Sequence, residues 1–152
     1  MIDKIHLKNF TVFDEVELDF SPKVNLIIGE NGTGKTHLLK AAYGVCSGRN
    51  PLLDSPNGVS RTQLKDAISE QLIRCFLPPD SKIGLLSRSH SNSKSEINVD
   101  FATGKSLGVT FGQRSKGIQF SHAIAFEDYS WHPIFLPSKD CLLYTSPSPR
   151  DS

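Results

Sequence analysis

Three glycines, a lysine and a threonine are the residues of this chain whose types and spacing could do chemistry: Gly29, Gly32, Gly34, Lys35 and Thr36. With Glu30, Asn31 and Thr33 between them they fit G-x-x-x-x-G-K-[ST], the pattern of a loop that cradles phosphate. Each type has a physical task. Glycine lets the backbone turn sharply and approach an anion that a Cβ would hold off. The lysine ammonium reaches the outer phosphates of a nucleoside triphosphate, and the threonine hydroxyl ligates Mg²⁺. A Gly-rich turn that happens to precede a helix is the plain alternative, and the flanks argue against it.

The elements that must position the loop are readable on both sides. Val24, Asn25, Leu26, Ile27 and Ile28 form an apolar, β-branched run that reads as a short buried strand. Residues 35–46 read as a helix, with Leu38, Leu39, Ala42 and Val45 at helical spacing. Strand, glycine loop and helix N-terminus aim loop amides and a positive helix end at one point, where anions sit.

Upstream, Ile2, Ile5, Leu7 and Phe10 interleave with Lys4, His6 and Lys8, and Val16, Leu18 and Phe20 alternate with Glu15, Glu17 and Asp19. These are two half-buried strands joined by a turn or irregular link over residues 9–13, an expected N-terminal antiparallel hairpin. Downstream, residues 47–51 end the first helix and residues 50–60 read as a loop. Leu64, Ala67, Ile68, Leu72 and Cys75 share one face of a second helix running to about Phe76, stopped by Leu77-Pro78-Pro79-Asp80. Residues 83–88, 97–101, 107–111 and 118–126 alternate like antiparallel strands, with a polar loop over residues 89–95. Residues 134–137 read as one more short strand. The expected fold is α/β: a P-loop core on a mixed sheet, with the hairpin before it and a β-rich antiparallel meander after it.

The chain has 152 residues, enough for one domain with a core. Lys plus Arg is 17 and Asp plus Glu is 16, so overall charge does not mark a nucleic-acid surface. Residues 2–10 carry too many charges for a signal peptide, and no apolar run approaches the roughly 20 residues that span a bilayer. Cys46, Cys75 and Cys141 form no C-x-x-C pair and read as reduced thiols. The expected location is the cytoplasm, with no membrane partner.

The C-terminal stretch from Cys141 to Asp151 reads as translated sequencing adapter from a transposase-made library. Residues 141–152 are therefore set aside as a non-native tail, residues 1–140 are taken as the domain, and the natural chain is expected to continue past Asp140.

One resemblance is specific. Ile5-His6-Leu7-Lys8-Asn9-Phe10, then Phe13, then residues 16–20, then the run from Asn25 through Thr36 resemble the start of ABC-type ATPases of the RecF/SMC and OLD-like group, often labelled AAA-family ATPases. Residues 135–140 resemble a segment found in a bacterial subset of them. The resemblance implies ATP and Mg²⁺ as cofactors, held by Gly29, Glu30, Asn31, Gly32, Thr33, Gly34, Lys35 and Thr36, with Thr36 on the metal. It places residues 8–13 near adenine and ribose. It implies a homodimer of heads driven by ATP, and action on DNA or a partner in repair or phage defence.

The catalytic half of such a head is not legible. A hydrolysing head needs an apolar strand ending in Asp-Glu and a signature loop. Asp14-Glu15 has the letters but lies ahead of the glycine loop, and Glu127-Asp128 has the order reversed. These residues are expected to bind nucleotide weakly and hydrolyse little, as a truncated piece of an ATP-hydrolysing parent. A GTPase would need Asn/Thr-Lys-x-Asp, which Ser138-Lys139-Asp140 does not supply, and a nucleotide kinase would show purer βαβ order. His37 reads as a packing residue, and His6, His90, His122 and His132 lack metal spacing. Lys82, Arg88, Lys94, Lys105, Arg114 and Lys116 read as solvated strand ends before they read as a DNA-facing stripe.

Overall fold

A computed structural model describes residues 1–48, 59–88, 93–122 and 133–136. Strand β1 (Ile2–Phe10) turns into β2 (Phe13–Asp19). Helices α1 (Lys35–Ser47) and α2 (Arg61–Phe76) follow, then two 3₁₀ turns, Pro79–Ser81 and Ile83–Leu86. Strands β3 (Ser95–Phe101), β4 (Ser106–Phe111) and the two-residue β5 (Gln119–Phe120) close the order.

The strands form one five-stranded sheet in the order β2-β1-β3-β4-β5, and every pairing is antiparallel. Period-two alternation explains the layering. Leu18, Ile5, Val99 and Leu107 line up across four strands, as do Val16, Leu7, Ile97 and Val109. These rows belong to the core, which Leu38, Ala41 and Val45 of α1 and Leu64, Ile68 and Leu72 of α2 complete. Residues of the opposite parity pair by charge: Lys4 reaches Glu17 at 2.9 Å and Asp19 at 3.4 Å, and His6 meets Glu15 at 2.9 Å.

The helices pack closely because α1 carries Gly44, where a Cβ would lie 2.9 Å from Leu72 Cδ2. Ser69 of α2 ties helix to sheet: its Oγ donates to Lys65 O at 2.8 Å and accepts from the Ile118 amide at 3.1 Å. Helix α2 opens with a full capping box, Ser60 Oγ accepting from the Gln63 amide and Gln63 Oε1 accepting from the Ser60 amide. It closes on Leu77, left-handed at φ 49° and largely exposed. A left-handed leucine is strained where glycine is not. Leu77→Gly is expected to raise unfolding stability by about 0.5–1 kcal/mol, read as a midpoint shift of roughly 2–4 °C in thermal melting.

Four details depart from the sequence reading. The sheet is purely antiparallel among the described residues, not mixed, and hairpin and meander are one sheet because β3 pairs directly with β1. Residues 83–86 are a 3₁₀ turn rather than a strand; Ile83 and Leu86 both point inward at the i, i+3 spacing of that helix while Leu85 is exposed. Residues 24–28 belong to no strand, and Val24, Leu26 and Ile28 are 86%, 81% and 83% exposed where a buried strand was expected. Residues 133–136 are likewise unpaired, with Ile134 and Leu136 exposed and Phe135 against Tyr43, ring centroids 5.7 Å apart. Trp131, His90, His132, the Glu127-Asp128 pair, Ser138 to Asp140 and the tail from Cys141 lie outside the described residues, as does the expected strand beyond residue 122.

Candidate phosphate-binding site

The glycine loop connects the extended residues 24–28 to the first turn of α1. Its start is anchored by a small clasp: Asn25 Oδ1 accepts from the Ser21 amide at 2.7 Å, and Asn25 Nδ2 donates to Ser21 O at 3.0 Å. Within the loop, Thr33 folds back on Glu30 O through its hydroxyl at 2.9 Å. Gly32 and Gly34 carry φ of 85° and 98°, the left-handed angles that the motif needs glycine for. Gly34 is the N-cap of α1.

The two helix starts differ in one respect that bears on chemistry. Helix α2 satisfies its own first amides with the Ser60–Gln63 box. Helix α1 has no side-chain cap and no acidic residue in its first turn. Its leading amides and its positive end therefore face the loop without an internal anion. Lys35 Nζ lies over that loop, donating to Gly29 O and Glu30 O at 2.6 Å each. Thr36 follows on an exposed position.

Loop amides, an ammonium and a hydroxyl thus lie within one short stretch at the head of α1, a set of groups that can neutralise several phosphate oxygens at once. These residues fit a nucleoside triphosphate with Mg²⁺. Lys35 would leave its two carbonyls for the outer phosphates, loop and helix amides would hold the inner ones, and Thr36 would supply one ligand to the metal. The bound Mg²⁺ would supply charge neutralisation between the phosphates. Among the described residues, no group of three or more His, Cys, Asp or Glu could hold a metal by itself.

The remaining candidates fall elsewhere. Asp14 and Glu15 stand on β2; Asp14 pairs with Arg88 at 3.3 Å, and the His6 hydrogen bond lowers the Glu15 pKa. They are committed to the sheet, not to a metal. His37 packs edge-on to Phe76 at 5.5 Å, and burial, with Lys40 nearby, lowers its pKa. Burial pushes the Cys46 thiol up to about 12, which makes it a packing group at neutral pH. Cys75 is shifted the same way by burial. Lys82 pairs with Asp80 at 2.8 Å and Arg88 with Asp14 at 3.3 Å, both at the surface.

Two residues near the loop, Val12 and Phe13, touch it in a way that the sequence pattern does not mark, although Phe13 belongs to the quoted resemblance. A Cβ built on Gly34 would lie 2.5 Å from Val12 Cγ2 and 2.6 Å from Phe13 Cζ, so the β1–β2 turn rests on the last glycine of the loop. The resemblance marked the neighbourhood of residues 8–13; no local pattern marked this contact.

The AAA domain family matches residues 4–128, most of the chain and the whole of this site. The chain belongs to that family. Part of the chain is similar to the DNA replication and repair protein RecF: 41% identical over 59 residues to the Phocaeicola vulgatus protein and 52% over 42 residues to the Bacillus thuringiensis protein. These alignments take in 38% and 28% of this chain but only 16% and 11% of the relatives' lengths. The AAA domain's fold resembles a solved structure described under ATP-driven dimerization and DNA-stimulated activation of SMC ATPases. The TM-score is 0.51 at 18% identity, over 82% of this chain and 71% of that one. By family this is an AAA domain, and by fold it is like the SMC ATPase structure. No helix among its described residues is long and apolar enough to cross a membrane.

Proposed function

We propose that residues 29–36 bind MgATP, and that this domain is the nucleotide-binding part of a longer, ATP-hydrolysing RecF/SMC-like protein. Lys35 curled onto the Gly29 and Glu30 carbonyls at the head of an uncapped helix carries the reading. The ammonium already sits at the loop mouth, and polyphosphate oxygens are better acceptors for it than two carbonyls. ATP-driven pairing of two heads and action on DNA are proposed by analogy with the SMC structure and the RecF relatives. The cytoplasm is the proposed location.

A second reading, a nucleotide-binding piece without catalysis of its own, is favoured by a separate observation. The stretch feeding the loop exposes Val24, Leu26 and Ile28, which supports further strands joining it in a longer protein. The acidic pair ahead of the loop is engaged elsewhere, Asp14 with Arg88 and Glu15 with His6, and does not orient water there.

Calorimetric titration with MgATP, paired with a single-turnover hydrolysis assay, tests both readings. Lys35→Ala is expected to weaken MgATP binding about 10- to 100-fold, the worth of one or two charged hydrogen bonds. Hydrolysis by the unaltered chain is expected to stay at background. Equal affinity in the two proteins would defeat the first reading, and measurable turnover the second.

A further inference from the structure

We propose that Val12 and Phe13, at the β1–β2 turn, are positioning residues that hold the glycine loop in its phosphate-accepting shape. The inference rests on the reading of residues 29–36 as a polyphosphate site, and it names what keeps that site formed.

The loop has few supports of its own. Its internal bonds run from Thr33 and Lys35 to Gly29 and Glu30, and the segment before it lies outside every strand and is exposed apart from Ile27, which packs against the core. Yet Gly34 is buried and held at φ 98°. What covers it is the Val12 methyl and the edge of the Phe13 ring. Both contacts are apolar, so they fix the backbone without competing for the amides that phosphate needs.

The turn is itself rigidly held. Asn9 and Thr11, on either side of Phe10, both take φ of 49°, unusual for residues with a Cβ. Such angles persist only where the surroundings over-determine them. Here the Thr11 amide donates to Leu86 O at 2.7 Å. Asn9 O accepts from the Arg88 amide at 3.0 Å and from Ser95 Oγ at 2.7 Å, and Asn9 Nδ2 donates to Ser93 O at 3.1 Å. Between them Phe10 is fully buried, edge-on to Phe76 and Phe111. The core therefore grips the turn, and the turn bears on the glycine that shapes the loop. The device reaches the phosphates through the backbone and makes no demand on the base.

The test uses the full chain and three variants: Phe13→Ala, Phe13→Leu and Val12→Ala. Amide hydrogen exchange of the unliganded proteins is followed over residues 31–36, and affinity is measured for MgATP and for magnesium tripolyphosphate, which has no base. Phe13→Ala is expected to speed exchange in the loop about tenfold while peptides from α2, β3 and β4 stay unchanged. It is expected to weaken MgATP and tripolyphosphate by the same factor, roughly five- to tenfold. Val12→Ala shows the same pattern more weakly, and Phe13→Leu restores most of both readouts. A loss confined to MgATP overturns the proposal, because the side chains then touch the base. So does unchanged loop exchange, or acceleration spread over the whole chain. If the unaltered protein binds neither polyphosphate, the nucleotide reading fails, and the exchange data on unliganded protein still decide whether the turn shapes the loop.

Discussion

Phe10→Ala is expected to destabilise the domain by about 3–5 kcal/mol, a large share of an ordinary domain's roughly 5–15 kcal/mol. Phe10 is 0% exposed. Its ring meets Phe76 at 5.2 Å and Phe111 at 6.2 Å, both edge-on, joining the end of α2 to β4 through β1. Truncation removes burial and two aromatic pairs together, each pair worth about 0.5–1.5 kcal/mol beyond its area. The site resists collapse because Asn9 and Thr11 hold the backbone in place, so a cavity remains. Urea unfolding followed by circular dichroism gives the number. A loss under about 1 kcal/mol would mean that the Phe10–Phe76–Phe111 contact does not join the layers.

Gly34→Ala carries the second large effect. The added methyl meets Val12 Cγ2 at 2.5 Å and Phe13 Cζ at 2.6 Å, and the residue sits at φ 98°. Strain and overpacking add, each about 1–3 kcal/mol, so the expected loss is roughly 2–6 kcal/mol with MgATP binding abolished. Gly32→Ala is the control. Gly32 also has a positive φ, 85°, but a Cβ there meets nothing within 4 Å. Its loss is confined to backbone strain, so the difference between the two variants isolates the contact with the turn. Equal unfolding free energies in denaturant titration would show that the turn does not press on the loop.

What could be read from the sequence was what is local. The eight-residue motif names its own chemistry, and Leu64, Ile68 and Leu72 mark their helix by spacing alone. Strands β1 to β4 alternate strictly enough that their inward residues are those expected, Ile5 and Leu7 among them. Where reading failed, the deciding information lay elsewhere in the chain. Residues 83–86 look like alternation, yet four residues cannot separate a two-residue period from the three-residue repeat of a 3₁₀ turn. Val24 to Ile28 have strand composition, but composition cannot say whether a partner strand lies alongside. Val12 and Phe13 are ordinary turn neighbours until the fold carries them onto Gly34, far along the chain. Leu39 sits at helical spacing but is about half exposed, because α1 turns a different stripe, Leu38, Ala41 and Val45, to the core.

The uncovered run at residues 24–28 has a colloidal consequence. It is short, apolar, uncharged and free of proline and glycine, with its backbone outside the ladder. Those are the attributes of a segment that pairs with its own copies in stacked sheets. Pro22 and Lys23 guard one end as a proline and a charge do beside aggregation-prone strands, while the other end runs straight into the glycine loop. The stretch that delivers the chain to its candidate nucleotide site is thus also its main solubility hazard. Whatever shields it in the cell keeps the protein in solution as well as in shape.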